Sequence, residues 1–354
     1  MLKKALAIAL LLGVLTPFTI LNAQDATAEA EDLGAIKTYL LEKVELLQTA
    51  AADLESAAQA YYALAEAADF NYDALWAAEP DAVSAALLSA KDAWITASPL
   101  YEQVEGIVAG VPSLAEYDVI LDAGASGEED PEGGVPFDLT LPDGTVLERP
   151  GNLFGLLEGT LWGTRDAFSS GVEADLDANG DVDFGEVLPE AGMLVASAEA
   201  LRGYVDALAE SGAAWEPTPS DAFTALVVMI PTMSEYFASW KESRFVAGEE
   251  STQTDFVVIS RLSDIIDILS GLEVVYENVS PQVAGVDADG DTQIADGLAS
   301  LRGYVADLYN EELDGRQFTA EEADFFGTEA QDRAQALAGQ VAQAAALLAI
   351  PLTE

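Results

Sequence analysis

The stretch Asp175, Leu176, Asp177, Ala178, Asn179, Gly180, Asp181, Val182, Asp183, Phe184, Gly185, Glu186 fills the ligand positions of an EF-hand-type calcium loop. A hard Ca²⁺ ion takes about six to eight oxygens. Asp175, Asp177 and Asn179 offer side-chain oxygens, Asp181 its backbone carbonyl, Asp183 a further carboxylate and Glu186 a bidentate closing ligand. Gly180 stands where the turn demands a positive φ. The competing reading is an acidic surface loop that matches the pattern by chance in an Asp-rich chain. A second acidic run, Asp287, Asp289, Asp291, Gln293 and Asp296, lacks the turn glycine and the closing acid. It reads equally as a weaker, shortened calcium loop or as a solvated interhelical turn.

Other carboxylates fall on apolar helix faces. Glu158 has Phe154, Gly155, Leu161 and Trp162 at helical i±3 and i±4 spacing, so an ionisable group points with two aromatic rings and a leucine. A buried carboxylate needs a cation or hydrogen bonds, which Arg165, Arg202 or a metal would supply. Glu102 and Glu105 form an i, i+3 pair after Trp94 and Tyr101, and Asp118 and Asp122 follow at i, i+4. Such acids facing Glu158 across a bundle core match the way carboxylate-bridged metal bundles are built, and Glu102, Glu105, Asp118 and Glu158 form the expected ligand set for a hard cation. The alternative is that these acids are solvated helix faces.

The chain of 354 residues has no histidine and no cysteine. That excludes imidazole bases, thiolate nucleophiles, disulfides and a histidine-based protease triad. Any metal is held by oxygen alone, which suits calcium, magnesium, manganese or ferric iron rather than zinc or copper. With 63 acidic against 14 basic residues the formal net charge is −49, so nucleic acid is not an expected partner. Lys3 and Lys4, the apolar run from Ala5 to Leu15 and the small residues from Ala23 to Ala28 read as a signal peptide, assigned to residues 1–23 with Ala28 as the other cleavage point. No later run is apolar enough to be read as a membrane span, and a periplasmic or secreted protein is expected.

Positioning these groups requires helices. Leu33, Ile36, Leu40, Val44, Leu47 and Leu54 make a long apolar stripe at helical spacing. The periodicity predicts helices near 31–68, 80–110, 152–173, 188–211, 219–246, 252–279, 293–313 and 319–348. Gly212, Pro217 and Pro219 interrupt the pattern, so the fold class is all-α, two consecutive antiparallel four-helix bundles over residues 24–215 and 216–354. The pentapeptide Leu201 to Val205 returns as Leu301 to Val305, which reads as bundle duplication or as convergence of two amphipathic helices. Between the second and third helices, residues 124–151 hold Leu139, Leu141, an Asp143-Gly144 turn and Val146, a small β-hairpin that either covers a site or decorates the surface.

The segment Phe154, Gly155, Leu156, Leu157, Glu158, Gly159, Thr160, Leu161, Trp162 resembles the Phe-His-x-x-Glu-x-x-Leu-Trp element of the imelysin-like family, with glycine in place of the histidine. Tyr101, Glu102, Gln103, Val104, Glu105 is similar to that family's Tyr-Glu-x-Ile-Glu element, and Asp332 to Leu352 resembles its last helix. The resemblance spans most of residues 31–354. It implies two four-helix bundles and a role in extracytoplasmic iron handling, as in the EfeO-type iron-uptake proteins, or the peptidase activity for which the family was first described. Loss of the histidine counts against the peptidase. The leading expectation is therefore a non-enzymatic metal-binding protein with structural Ca²⁺ and a hard-cation site for Fe³⁺, partnered by a membrane permease or a surface protein. The alternatives are a calcium-stabilised secreted interaction protein and, behind it, a metallopeptidase with Glu158 as general base.

Overall fold

The computed structural model describes residues 33–353. The expected signal peptide, residues 1–23, lies outside them. The first stripe of leucines becomes α1 (Gly34–Ala67), a helix whose buried face carries Ile36, Leu40, Val44, Leu47 and Leu54. A short α2 (Tyr72–Ala78), capped by the Asn71 side chain, leads into α3 (Pro80–Val108), which starts on a proline at its first position, where no helical N–H is lost. Next come α4 (Ala115–Asp118) and a π-helical turn over Val119–Ala123, a form that recurs at functional sites.

The expected hairpin is present: β1 (Leu139–Thr140) pairs antiparallel with β2 (Val146–Leu147), and Gly144 takes a φ of +88° in the turn. α5 (Leu153–Leu161) follows, started by the Asn152 side chain accepting from the Gly155 amide. The helix expected over 152–173 stops at Leu161. Gly163 turns left-handed at φ +65° with its α-carbon close against Val187, and Ser169–Glu173 then forms a strand, β3, paired with β4 (Val187–Pro189). A hydrophobic period read across Gly163 missed this reversal.

α6 (Ala191–Ala214) completes the first bundle, packing on α1 and α5 while α1 also packs on α3. In the second bundle, α7 (Pro219–Met229) and α8 (Met233–Glu242) replace one expected helix because Pro231 interrupts it. A four-residue α9 (Arg244–Ala247) precedes irregular chain, so the helix expected from 252 begins only at α10 (Arg261–Val286). α11 (Ala288–Leu313) and α12 (Ala320–Leu347) follow, α11 packing on α10, and α12 on α8 and α11. The two bundles meet along α3 and α10. Both copies of the pentapeptide lie within helices, with Leu201, Val205, Leu301 and Val305 buried. Among the described residues one stretch, Pro219–Glu242, is long and apolar enough to cross a membrane by length and composition, and over half of its most apolar window is buried in the protein.

Candidate metal centre

The junction of α3 and α10 is where the buried charge gathers. α3 supplies Glu102 and Glu105 one turn apart, α4 supplies Asp118, the π-turn Asp122, and α10 Arg261 and Asp264. All six are buried. Glu102, Glu105 and Asp122 each present a carboxylate oxygen, and these oxygens lie within 4.8 Å of one another. The Tyr236 hydroxyl of α8 donates to Glu105 Oε1 at 2.5 Å, and Tyr101 donates to Asp118 Oδ1 at 2.8 Å. Arg261 Nη1 lies 2.7 Å from Asp264 Oδ2 and 4.0 Å from Glu102 Oε1. Glu102 Oε2 and Glu105 Oε2 are buried with no hydrogen-bond partner among the described residues.

Five carboxyl groups thus share one buried guanidinium. Burial, with mutual repulsion added, pushes Glu102 and Asp122 well above the usual carboxylate range. Burial and then the Glu105 charge lift Asp118 to about 7, while burial lifts Asp264 to about 6 against the pull of Arg261. Orphaned carboxylate oxygens in a dry setting are costly, and a cation between them removes that cost. A cavity of about 310 Å³ borders Glu105 and Asp122 and is walled by Asn152, Arg165, Tyr236 and Asp255 among others.

The structure distributes the expected ligand set differently. Glu102 and Glu105 meet, but Asp122 rather than Asp118 closes the triangle, and Asp118 is held by Tyr101. Glu158 is not in the cluster: Oε1 accepts from the Val257 and Val258 amides at 3.0 and 3.1 Å, and Oε2 from the Phe256 amide at 2.5 Å. Neither Arg165 nor Arg202 pairs with it; Arg165 binds Asp255 and Arg202 binds Asp206. The buried carboxylate that the sequence flagged therefore anchors the chain ahead of α10. Burial pushes its pKa up to about 8 against those three amides.

The loop at 175–186 joins β3 to β4, where a helix-loop-helix setting was expected. Carboxylate oxygens of Asp175, Asp177 and Glu186 lie within 4.8 Å of one another. Asp175 accepts from the Asn179 and Gly180 amides, the Asn179 side chain accepts from the Asp181 amide, and Asp183 takes a hydrogen bond from the Asn179 side chain. Glu186 folds back on the Leu176 and Asp183 amides at 2.9 and 2.8 Å. Gly180 has φ +100°. Lys91 of α3, buried, donates to Gly185 O at 2.6 Å and ties the loop to the bundle, and its burial lowers its pKa to about 8.

The second acidic run is not a loop. Asp287 caps α11 by accepting from the Gly290 amide, and Asp289, Asp291, Gln293 and Asp296 already lie in that helix. A helix spreads successive side chains around its axis, so this run does not wrap one point as a calcium loop does, and Asp291 instead accepts from the Tyr276 hydroxyl. The capping chemistry of Asp287 and the acids of the first turn are helix-start signals that the calcium reading passed over.

The sequence model of one family, imelysin, matches residues 35–348. The chain belongs to the imelysin family. That family carries a peptidase name. No curated protein matches the chain. In this imelysin-family protein, a Cβ at Gly155, the position where the sequence resemblance expects a histidine, would lie 3.0 Å from Asp255 Oδ2 and 3.1 Å from Asn152 Oδ1. A side chain at 155 would thus head for two residues of the cavity wall. Arg261, Asp264 and Tyr236 went unrecognised because no spacing in the sequence links α8 and α10 to Glu102 and Glu105; the one local signal, an arginine and an acid at i, i+3, was hidden inside a helix expected to start at 252.

These shifts set a pH dependence. Asp118, Asp264 and Glu158 have folded pKa values of about 7, 6 and 8, above the ordinary carboxylate values. The folded state therefore binds more protons than the unfolded one between roughly pH 4 and 8, and the stability these groups lend is full below that window and lost as pH rises through it. Metal-free protein is expected to melt at a lower temperature at pH 8 than at pH 5. Asp118→Asn flattens the profile near pH 7, and an unchanged profile in calorimetric scans of that variant would sink the assignment.

Proposed function

We propose that this imelysin-family protein is an extracytoplasmic, non-enzymatic metal-binding protein that holds a hard cation such as ferric iron at Glu102, Glu105 and Asp122 and serves metal uptake, with Ca²⁺ bracing the 175–186 loop. The observation that carries the reading is the buried carboxylate triangle in which Glu102 Oε2 and Glu105 Oε2 have no partner among the described residues. An all-oxygen donor set suits hard ions, and the chain offers no imidazole or thiolate to a softer one. The lack of histidine also weighs against hydrolysis, as does the engagement of Glu158, the expected general base, with three backbone amides. The loop supports calcium through its convergent Asp175, Asp177 and Glu186 oxygens and its preset turn at Gly180.

The test is elemental analysis after exposure to calcium and chelated ferric iron, comparing wild type, Asp122→Asn and the double variant Asp175→Asn/Asp177→Asn. Iron lost only in Asp122→Asn and calcium lost only in the loop variant is the expected pattern. Calcium alone, lost in the loop variant, would instead mark a calcium-braced interaction protein.

A further inference from the structure

A buried arginine beside a proposed cation site needs an explanation. Arg261 opens α10 and is 6% exposed. Its guanidinium lies 3.8 Å from the centroid of Phe256 and 4.3 Å from that of Tyr236, while Nη1 is held by Asp264 at 2.7 Å. Two rings and a carboxylate thus fix the group in place. Leaving would forfeit all three contacts, and an arginine does not shed its proton. Its charge therefore stays beside Glu102, whose Oε1 is 4.0 Å away and whose Oε2 is among the unpartnered oxygens.

We propose that Arg261 is the affinity-setting counter-charge of the metal centre, a fixed guanidinium that partly neutralises the acid cluster in the free protein and weakens cation binding enough to keep it reversible. The inference rests on the metal-centre reading and deepens it. The free protein needs this charge because Glu102, Glu105, Asp118, Asp122 and Asp264 are all buried around it. The bound protein is penalised by it, because the guanidinium repels the incoming ion. That repulsion scales with the ion's charge, so its removal helps a trivalent ion more than a divalent ion of similar radius.

The experiment measures Ca²⁺ and Tb³⁺ binding by calorimetry in full chains whose loop is silenced by Asp175→Asn/Asp177→Asn. Arg261→Gln is expected to tighten Ca²⁺ by about tenfold and Tb³⁺ by a larger factor, whereas Arg261→Lys, which keeps the charge, stays within about threefold of the parent. A merely structural arginine would not produce a gain graded by ion charge. Equal affinities in parent and Arg261→Gln, or an equal change for both ions, overturns the inference while leaving the metal centre standing. Absence of binding of both ions by the parent overturns the metal centre and the inference with it. Should Arg261→Gln not fold, Arg261→Met, which removes the same charge but keeps an apolar side chain between the two rings, carries the same expectation; unchanged affinities there also overturn the inference.

Discussion

Glu105→Gln is expected to weaken hard-cation binding at the buried centre by about a hundredfold or more while raising the melting temperature of the metal-free protein. The two effects have one cause. Glu105 is 3% exposed, gives one oxygen to Tyr236 and keeps the other unpartnered. Its charge also helps raise the pKa values of Glu102, Asp118 and Asp122, so the free protein carries a repulsion that Arg261 only partly offsets and that a bound cation relieves. Glutamine keeps the shape and an oxygen for Tyr236 but removes that repulsion, and relief of about 1 kcal/mol corresponds to a rise of roughly 2–4 °C. The same change deprives the ion of a charged ligand, so the stabilisation a native-state ligand confers should disappear. Melting curves with and without Tb³⁺, in chains whose 175–186 loop is silenced by Asp175→Asn/Asp177→Asn, read both signs together. A variant that binds Tb³⁺ within about threefold of wild type would remove Glu105 from the centre.

What the sequence made legible follows from the range over which each signal acts. The helices were readable because their buried faces repeat within a turn, as in the α1 stripe, and the hairpin because Asp143-Gly144 is a local turn signal. The ends were less so: Gly163 and Pro231 divided expected helices, and Ser260 capped α10 later than the apolar pattern suggested. The Glu102–Glu105 pair was visible because i, i+3 acids on one apolar helix are a local anomaly. Its partners were not, since which of the buried Asp118 and Asp122 joins the pair depends on a π-helical turn, and Arg261 arrives from a helix about 160 positions away. Asp287 misled because one residue type both caps helices and ligates calcium.

Glu158→Leu tests the other buried carboxylate, and its expected effect is on folding. Three backbone amides, those of Phe256, Val257 and Val258, converge on the Glu158 carboxylate from irregular chain. Leucine matches the apolar surroundings of α5 but leaves all three donors without their acceptor, and each buried donor so orphaned costs about 1–3 kcal/mol. Partial relaxation toward the neighbouring cavity reduces the sum, so a loss of roughly 3–5 kcal/mol is expected. Glu158→Gln should lose less, because its remaining carbonyl oxygen still accepts while its amide group faces a backbone donor. Hydrogen exchange locates the damage: protection should fall at residues 256–258 before it falls in α5. The consequence extends to the metal centre, because Phe256 is one of the two rings that hold the Arg261 guanidinium. Loosening that ring frees the counter-charge, so Glu158→Leu should also alter cation affinity without Glu158 being a ligand. A Glu158→Leu protein as stable as wild type, with unchanged exchange at 256–258, would mean that the carboxylate does not anchor this segment.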